Sequence, residues 1–528
     1  MNLLTDPWIP ARQIDRAGYC PPITFEEMLC GNKQWEVALP RDDLEMACLQ
    51  LLISLTQVLF PPDNAATLRR RVKTPLTVEE YASGTNISVD EKTKVLDWFD
   101  LDHPDWPFMQ TRGLKNGKLT GLQKLLLGLP EGSNHCFFNE ATEVQFLGAP
   151  VASIALFHQG SNSPSFGGGP GGGFKASLRG NGPVTTLVFG SHLRETIWRN
   201  VLTREYLHDV LSGYDFDYSR DKPTWVSPIE EGKPVNAKDI GLLRGLFWQP
   251  AHVELVKADV LQPCDLLGGK PDTGYSGFLK EPFGYKVEGF WQHPHGVATF
   301  ETKKDKKTKQ LKREEKYLSF TTTAPAWTQM SEFVVPRGNR DNKEDKEGSQ
   351  PAWPVSQFGK VWRGQLNLLV GGYRVENGAA LRERRHEVFS LASGWDGSSG
   401  NLKHIIGLAL RVRDVLSDKV FEVSKGNKKK GFQGLGISLD KTAEARFYRR
   451  TERLVQSALV DIPFDGLRFN AHREHFVVTL ANICEEIFKE LTSSYAAKPE
   501  LVPIIAVARA GLGAELAKLR KEVQIHGG

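Results

Sequence analysis

The residues best suited to a close contact with a ligand form a glycine-rich segment. From Gly167 to Gly173, every residue except Pro170 is glycine. Because glycine has no Cβ, its backbone adopts positive φ values and approaches a ligand closely. Two ligands would use this property, a phosphate group held by backbone N–H groups or a narrow groove of a nucleic acid. A flexible surface loop is the alternative interpretation.

Known nucleotide-binding motifs do not fit this segment. A Walker A motif requires a serine or threonine after its lysine, whereas Lys175 is followed by Ala176. A Rossmann fingerprint requires a strand directly before the glycines, and residues 160–164, rich in Gly, Ser, Asn and Pro, predict a loop there. Lys175 and Arg179, just beyond the glycines, favour contact with phosphate groups.

A second candidate site is the pair His293 and His295, whose side chains would point to the same side of an extended segment. His252 and Cys264 are candidate partners for a metal, but no ligand spacing is characteristic, and catalytic zinc usually takes three protein ligands. The favoured interpretation is that the histidines pack against Trp291. The sequence has no G-x-S-x-G elbow and no paired general acid and base, so it predicts no catalytic residue and no cofactor.

A group of arginines forms a basic ridge on a helix predicted from Ala443 to Ala458. Their spacing of three and four residues puts them on one side of that helix, away from its apolar stripe. The ridge consists of Arg446, Arg449, Arg450 and Arg453. Two kinds of partner are open, DNA phosphates or the neighbouring Glu444 and Glu452.

A lysine cluster at residues 303–313 lies between two runs typical of strands, 297–300 and 317–320. The pattern predicts a hairpin with a charged tip. Such a tip is either solvated or a nonspecific contact for phosphates, and the latter would make affinity sensitive to salt.

The elements that position these residues divide the chain in two. A length of 528 residues exceeds one compact core, while 40% hydrophobic and 25% charged residues with a net charge of +4 indicate a globular protein. Residues 1–388 predict a mixed α/β domain, with one strong helix from Leu44 to Leu59 after the helix-start acids Asp42 and Asp43. Residues 389–528 predict a four-helix bundle, and the fold class is α+β. The four apolar stripes of the bundle contain Ile405 to Leu416, Phe447 to Ala458, Phe476 to Leu491 and Ala508 to Leu519.

The cysteines and the apolar runs indicate a cytoplasmic protein without a membrane partner. The six cysteines are scattered and include no C-x-x-C pair, which fits a reducing compartment. The N-terminus lacks the pattern of a signal peptide. The best apolar run, Leu49 to Phe60, is too short to span a bilayer, which needs about 20 residues.

Many collinear blocks resemble the CasA family, the large subunit of the type I-E CRISPR surveillance complex Cascade. The resemblance covers nearly the whole chain. Its blocks are Asn2–Leu4, Trp8–Pro10, Leu39–Asp43, Pro107–Thr111, Phe174–Lys175, Leu178–Gly180, Gly245–His252, Gly277–Glu281, Trp327–Gln329, Gly371–Arg374 and Glu383–His386.

The resemblance implies a non-catalytic subunit that recognises the PAM, the short motif flanking a DNA target. In this family a glycine loop enters the minor groove of the PAM, where readout is degenerate. The residues implied for this loop are Ser165, Phe166, Gly167, Gly168, Gly173 and Lys175, and residues 169–172 are an insertion. A glycine-loop nucleotide- or metal-dependent enzyme is the alternative.

The resemblance implies three further contacts. A wedge that splits the first base pairs corresponds to a turn with residues Val375, Glu376, Asn377, Gly378 and Ala379, and either Asn377 or Gly378 replaces the family's glutamine at its tip. Pro282 stands where the family has a lysine finger, and Lys280 is the substitute. Phe137 and Asn139, in a loop over 134–139, correspond to contacts with the guide RNA and neighbouring subunits.

The implied partners are the CRISPR guide RNA, double-stranded target DNA and the other Cascade subunits, namely the backbone, small and 5′-handle-binding subunits. An effector nuclease-helicase, or a nuclease fused to the complex, would cleave the target. Some relatives carry four cysteines suited to zinc. Gly148 and Val151 occupy two of those places and only Cys264 remains near the second pair, so the sequence predicts no metal.

Overall fold

A computed structural model describes the chain outside a set of short segments. The segments left out are residues 17, 19, 116, 130–142, 165–167, 170–171, 174–176, 181, 231, 283–285, 305–309, 340–341, 343, 363, 377–379, 397–398, 428–430, 464–465 and 526–528.

The described residues form helices and short strands. The helices are α1 (Phe25–Cys30), α2 (Asp42–Leu59), α3 (Ala65–Lys73), α4 (Val78–Thr85), α5 (Ala149–Asn162), α6 (Leu193–Asn200), α7 (Arg204–Val210), α8 (Leu242–Leu246), α9 (Met330–Val334), α10 (Trp353–Val361), α11 (Ser399–Lys425), α12 (Asp440–Val460), α13 (Gly466–Ser493) and α14 (Val502–Ile525). The strands are β1 (Ala11–Gln13), β2 (Trp35–Val37), β3 (Lys118–Thr120), β4 (Leu147–Gly148), β5 (Gly168–Gly169), β6 (Gly172–Gly173), β7 (Thr185–Val188), β8 (Pro234–Asn236), β9 (His252–Lys257), β10 (Gly274–Glu281), β11 (Lys286–Glu288), β12 (Ala298–Lys304), β13 (Leu311–Tyr317), β14 (Glu347–Gln350), β15 (Leu366–Glu376) and β16 (Ala380–Leu391). No helix in this described part is long and apolar enough to cross a membrane.

The chain divides into two compact units. The first contains Met1–Thr321, Pro336–Val361 and Leu369–Glu387, and the second contains Thr322–Val335, Trp362–Leu368 and Val388–Gly528. The first unit mixes helices with small sheets and the second is mainly helical, which confirms the predicted α+β class. The second unit also takes up two segments that precede residue 388.

Helices α2 and α5 lie in the core of the first unit. The acids of the first turn of α2 suit the positive end of the helix dipole, and the helix ends before Pro61, as the sequence predicts. All but two of the α2 residues are buried, and α5 packs against α2 and is buried along almost its whole length. Polar side chains on these two helices therefore need partners inside the protein.

Three sheets in the described chain carry the regions of interest. Strand β10 pairs with β3, β4 and β9, β12 lies between β13 and β14, and β15 lies between β16 and β7. The antiparallel pairing of β12 with β13 confirms the predicted lysine hairpin. Lys303 and Lys312 are cross-strand neighbours within the ladder rather than in the turn, and residues 305–309 lie outside the description.

Four long helices, α11 to α14, form the bundle of the second unit. Each helix packs against its sequence neighbour, and α11 also contacts α13 and α14. The predicted stripes are the buried ones: Val412, Phe447, Cys484 and Leu512 are at most 1% exposed. The four-helix bundle predicted from the stripes is confirmed.

Candidate nucleic-acid interface

The glycine segment forms a narrow two-stranded ladder. Gly168 pairs with Gly173 and Gly169 with Gly172 in antiparallel register. Because all four paired residues are glycines, the ladder itself carries no side chain. Ser165, Phe166, Gly167 and Lys175, named from the sequence, lie outside the described residues.

The base of the glycine segment is closed by the backbone. The Ser177 N–H donates to the Ser163 carbonyl at 2.9 Å, which brings the two ends of the segment together. The loop predicted at 160–164 is wrong in its first part, because α5 continues to Asn162. Burial of this helix against α2 outweighs the weak helix propensity of Gly160, Ser161 and Asn162.

The predicted wedge lies at the end of a two-stranded hairpin. Val375 and Glu376 belong to β15 rather than to the turn, which corrects their expected position. The remaining wedge residues, 377–379, lie outside the description, and β16 follows from Ala380. Glu376 accepts a hydrogen bond from Arg382 on β16 at 2.5 Å, which ties the two strands together close to the turn.

The glycine segment and the hairpin share a common root. After the glycine segment the chain enters β7, the sheet neighbour of β15. A Cβ on Gly182, whose φ is +61°, would lie only 2.5 Å from Val375 Cγ2 and 3.0 Å from the Tyr373 carbonyl oxygen. On the same path, a Cβ on Gly372 would lie 3.0 Å from the Pro183 carbonyl oxygen. The chain that leads from the glycine segment into β7 therefore packs closely against β15, the strand that leads to the hairpin turn.

Arg179 is a buried cation beside the glycine segment. It is 3% exposed, and burial lowers the pKa of its guanidinium to about 10. The side chain donates to Asn162 Oδ1 at 3.0 Å, Thr185 Oγ1 at 2.8 Å and the Val184 carbonyl at 2.9 Å, and it lies over the Tyr317 ring. Arg179 therefore bridges α5, which precedes the glycine segment, and β7, which follows it. The phosphate contact predicted for Arg179 is wrong, because the side chain is buried.

Asp43 is more than a helix-start acid. It is 1% exposed and accepts hydrogen bonds from Arg41, at 3.0 and 2.6 Å, and from the Tyr373 hydroxyl, at 2.7 Å. Burial alone would raise the pKa of Asp43, but the Arg41 hydrogen bonds and the Tyr373 hydroxyl hold it well below its usual value. Asp43 is therefore an ionised carboxylate inside the protein.

His158 completes the polar cluster between these groups. Its Nε2 lies 2.8 Å from the Tyr373 hydroxyl, and its Nδ1 lies 3.1 Å from Asn162 Nδ2. Burial lowers the pKa of His158 to about 4, so the ring is neutral at physiological pH. Sequence reasoning missed this cluster, although a histidine on the apolar face of α5 was a usable signal, because a buried polar group needs a partner.

The family model for the CRISPR-associated protein Cse1 matches residues 2–487 of this chain. The chain belongs to the Cse1 family. This match confirms the resemblance that the sequence blocks indicated, since a solved relative from Thermus thermophilus carries both names, CasA and Cse1.

Solved structures share the Cse1 fold over nearly the full length of the chain. Thermobifida fusca Cse1 has a TM-score of 0.72 at 17% identity, covering 99% of this chain and 98% of that one. Thermus thermophilus CasA has a TM-score of 0.69 at 18% identity, covering 98% and 99%. A chain of a CRISPR RNA-guided surveillance complex has a TM-score of 0.65 at 16% identity, covering 97% and 99%.

Lys280 lies in a strand of this Cse1 chain. It is half-buried in β10, opposite Lys118 of β3 and Val253 of β9. Pro282 follows directly after the strand, and residues 283–285 lie outside the description. The guide RNA contacts predicted at Phe137 and Asn139 also lie outside the described residues.

The basic ridge on α12 is partly neutralised. Arg450 pairs with Glu490 of α13 at 2.6 Å and with Glu486 at 3.7 Å, and Arg446 pairs with Glu490 at 3.3 Å. These partners come from the next helix and not from Glu444 and Glu452, the neighbours named from the sequence. Arg449 and Arg453 are exposed on the same helix, so they carry the accessible charge of the ridge.

The histidine pair is packed rather than arranged around a metal. His293 and His295 are each 2% exposed, and the His293 ring packs edge-on against Trp291, as favoured from the sequence. His293 Nδ1 accepts a hydrogen bond from the His295 N–H at 3.0 Å, so that nitrogen is already used. Burial lowers the pKa of both rings, that of His295 to about 3.

The place of the relatives' cysteines does not suit zinc. Gly148 packs against Pro271, Val151 is buried in α5, and Cys264 is a buried thiol. Neither Gly148 nor Val151 offers a side-chain ligand, whereas a structural zinc site needs four. Across the described ranges no group of three or more histidine, cysteine or acidic side chains is arranged to hold a metal ion.

Proposed function

We propose that this chain is the non-catalytic, cytoplasmic large subunit of a type I-E CRISPR Cascade complex. In this role it recognises the PAM in double-stranded DNA through the minor groove and wedges the duplex open to start R-loop formation. The observation that carries the proposal is the common root of the glycine segment and the hairpin, where Gly182 lies against Val375. A groove reader and a strand-separating wedge act on adjacent base pairs, so their supports must be adjacent too.

The glycine ladder suits a minor groove. The groove of B-DNA is about 6 Å wide and separates A·T from G·C mainly through the exocyclic amine of guanine. A ribbon of four glycines, Gly168, Gly169, Gly172 and Gly173, has no side chain that would keep its backbone away from the base edges. We expect its carbonyl groups to sense the guanine amine, which gives a degenerate preference.

The hairpin suits a wedge. Its strands are joined near the turn by the ion pair Glu376–Arg382 and further back by Arg374–Glu383, at 3.1 Å. Opening one base step costs a few kcal/mol, which an inserted element can offset through contacts with the separated strands. Pairing with the guide RNA then approximately replaces the lost DNA pairing.

The remaining contacts follow from charge and from the family. Exposed Arg449 and Arg453 on α12 would meet phosphates of a displaced DNA strand, and Lys280 would support the groove contact. Phe137 and Asn139 would meet the guide RNA and neighbouring subunits. The helical bundle would recruit the effector nuclease-helicase.

The test is target binding by the complex assembled with guide RNA, on duplexes with matched and scrambled flanking motifs. We expect Gly168→Leu to weaken binding to the matched duplex at least tenfold while the complex still assembles. Gly121→Leu is the matched control, because Gly121 is exposed and has nothing within 4 Å of its Cβ position. Equal affinity of wild type and Gly168→Leu, or no preference for the matched motif, would overturn the proposal.

A further inference from the structure

A continuous chain of buried hydrogen bonds runs from the residues that flank the glycine segment to β15, the strand that leads to the hairpin turn. It runs from Arg179 to Asn162, His158, Tyr373 and Asp43, and is here named the Arg179–Asp43 chain. Successive polar atoms are 3.0, 3.1, 2.8 and 2.7 Å apart. Each of the five side chains is at most 6% exposed.

The protonation states give this chain one direction. Asp43 is ionised, so the Tyr373 hydroxyl donates to it and in turn accepts from His158 Nε2–H. The neutral ring then leaves His158 Nδ1 as an acceptor for the Asn162 amide. The Asn162 carbonyl oxygen accepts from Arg179, so every donor points from the cation toward the anion.

Two members of the chain are held by further partners. Asn162 Nδ2 donates to Gln50 Oε1 of α2 at 2.8 Å, and Asp43 is held by Arg41. Among the described residues no carboxylate forms an ion pair with Arg179, whose guanidinium is held by three neutral oxygen acceptors, those of Asn162, Thr185 and Val184. Because the members are buried, removal of one leaves its neighbours without a hydrogen-bond partner.

The members of the chain lie at the roots of the two functional segments. Asn162 is the last residue of α5 before the glycine segment, and Arg179 follows two residues after the Ser177–Ser163 closure. Tyr373 lies on β15, three residues before the strand ends at Glu376. A displacement at either root therefore acts directly on the other through a few rigid bonds.

We propose that the Arg179–Asp43 chain couples PAM capture to strand opening by holding the glycine segment and the hairpin in one fixed register. Tyr373, His158 and Asn162 are then positioning residues, which act on DNA through the two segments and do not touch it. This inference rests on the proposed function of those segments. Without the chain, the glycine segment would still bind, but the hairpin would no longer be placed at the adjacent base pair.

The test compares Tyr373→Phe with Tyr275→Phe in the assembled complex. Tyr275 is 1% exposed, belongs to the same unit and also donates its hydroxyl to a carboxylate, Asp102, at 3.1 Å, but it lies on β10 outside the chain. Opening is followed with a fluorescent base beside the flanking motif, on a closed duplex and on a duplex already unpaired at its first positions. Each is measured with matched and scrambled motifs.

We expect Tyr373→Phe to slow opening of the closed duplex at least fivefold, within the usual range of coupling between sites, and to reduce the advantage of the matched motif. On the unpaired duplex its rate should return to that of wild type, whereas Tyr275→Phe should match wild type on both. If the two variants lose the same factor, or if Tyr373→Phe keeps the wild-type rate, the coupling is wrong.

A second variant tests the coupling if the complex with Tyr373→Phe does not assemble. Val375→Ala shortens the side chain that lies against Gly182 without removing a buried polar group, and should slow opening in the same way by a smaller factor. Gly168→Leu separates the two levels of the proposal. If Gly168→Leu abolishes DNA binding while complexes with Tyr373→Phe or Val375→Ala open the duplex at the wild-type rate, the proposed function stands and the coupling is wrong. If the complex with Gly168→Leu binds DNA normally, the proposed function itself is wrong.

Discussion

Tyr373 donates its hydroxyl proton to Asp43, a residue 330 positions earlier in the chain, over 2.7 Å. Both groups are almost fully buried, and Asp43 also holds Arg41, whose side chain reaches the Leu127 carbonyl at 2.6 Å. A single carboxylate at the start of α2 thus fixes the strand that leads to the hairpin turn. Substitutions here and at related contacts should change stability and DNA binding in defined ways.

Tyr373→Phe should lower the free energy of unfolding by about 1–3 kcal/mol, because Asp43 and His158 each lose a buried hydrogen-bond partner. Urea unfolding at pH 7, followed by tryptophan fluorescence, measures the change. Tyr495→Phe, which removes a hydroxyl from a half-buried ring in the second unit, should stay within about 0.5 kcal/mol of wild type. A loss below that size in Tyr373→Phe would show that the bond contributes nothing net.

Gly182→Ala should destabilise the first unit more than Gly180→Ala. Both residues have positive φ, +61° and +79°, so both substitutions bear backbone strain of about 1–2 kcal/mol. Only at Gly182 does the added methyl also meet Val375, at 2.5 Å, whereas nothing lies within 4 Å at Gly180. The difference between the unfolding free energies of the two variants measures the steric clash, because the backbone strain is common to both.

A double-mutant cycle tests the same contact. Val375→Ala removes the Cγ2 atom that the new methyl would meet, so it should recover part of the loss in Gly182→Ala but none in Gly180→Ala. Additive effects in both cycles would mean that the root of the hairpin does not lie against Gly182 in solution.

The helices were predictable because their apolar residues recur at helical spacing. The stripes around Val412, Phe447, Cys484 and Leu512 face the bundle core, and α2 ends at the prolines that stop it. Gly160 to Asn162 misled the sequence reasoning, since local propensity there is overridden by burial between α5 and α2. Residues 377–379 were assigned to the turn from the family resemblance and lie outside the described residues, whereas Val375 and Glu376, assigned to the same turn, belong to β15.

The polar cluster was not predictable in the same way. Asp43, His158 and Tyr373 lie far apart in the sequence, and only the folded chain brings them together. Spacing rules describe neighbours on one element, so they point to partners such as Glu444 for the arginines of α12. The actual partner, Glu490, lies on the next helix, and its selection depends on how α12 packs against α13.

Arg449→Ala should reduce DNA binding by the assembled complex more than Arg450→Ala. Arg450 is already neutralised by Glu490, whose own pKa that arginine lowers, while Arg449 is exposed. Loss of one phosphate contact makes the negative slope of log affinity against log salt shallower by about one unit. Titrations at several salt concentrations measure this slope.

Glu490→Gln provides the opposite change. It releases Arg446 and Arg450 from their ion pairs and should strengthen DNA binding, most clearly at low salt. If Arg449→Ala and Arg450→Ala lower the slope equally, or if Glu490→Gln leaves affinity unchanged, the ridge does not meet DNA through Arg449 and Arg453.

Acid should destabilise the first unit well above the range in which carboxylates titrate. Burial lowers the pKa of His158 to about 4 and that of His295 to about 3, and it lowers that of His293 as well. The unfolded chain takes up these protons near pH 6.5, whereas the folded chain does not. The free energy of unfolding is therefore not reduced by these histidines above pH 6.5, and it decreases as the pH falls toward 4.

Each buried histidine contributes a slope of up to about 1.4 kcal/mol per pH unit in this window. The depressed pKa of Asp43 acts in a lower range, because its contribution is lost only below the usual carboxyl value of 3.8. Urea unfolding at intervals between pH 4.5 and 7.5 measures the slope. His158→Gln should make the profile shallower by one proton, while His208→Gln, at an exposed histidine of the same unit, should leave it unchanged. A profile that is flat from pH 7 to 4.5 would mean that these histidines take up protons in the folded protein just as they do in the unfolded chain.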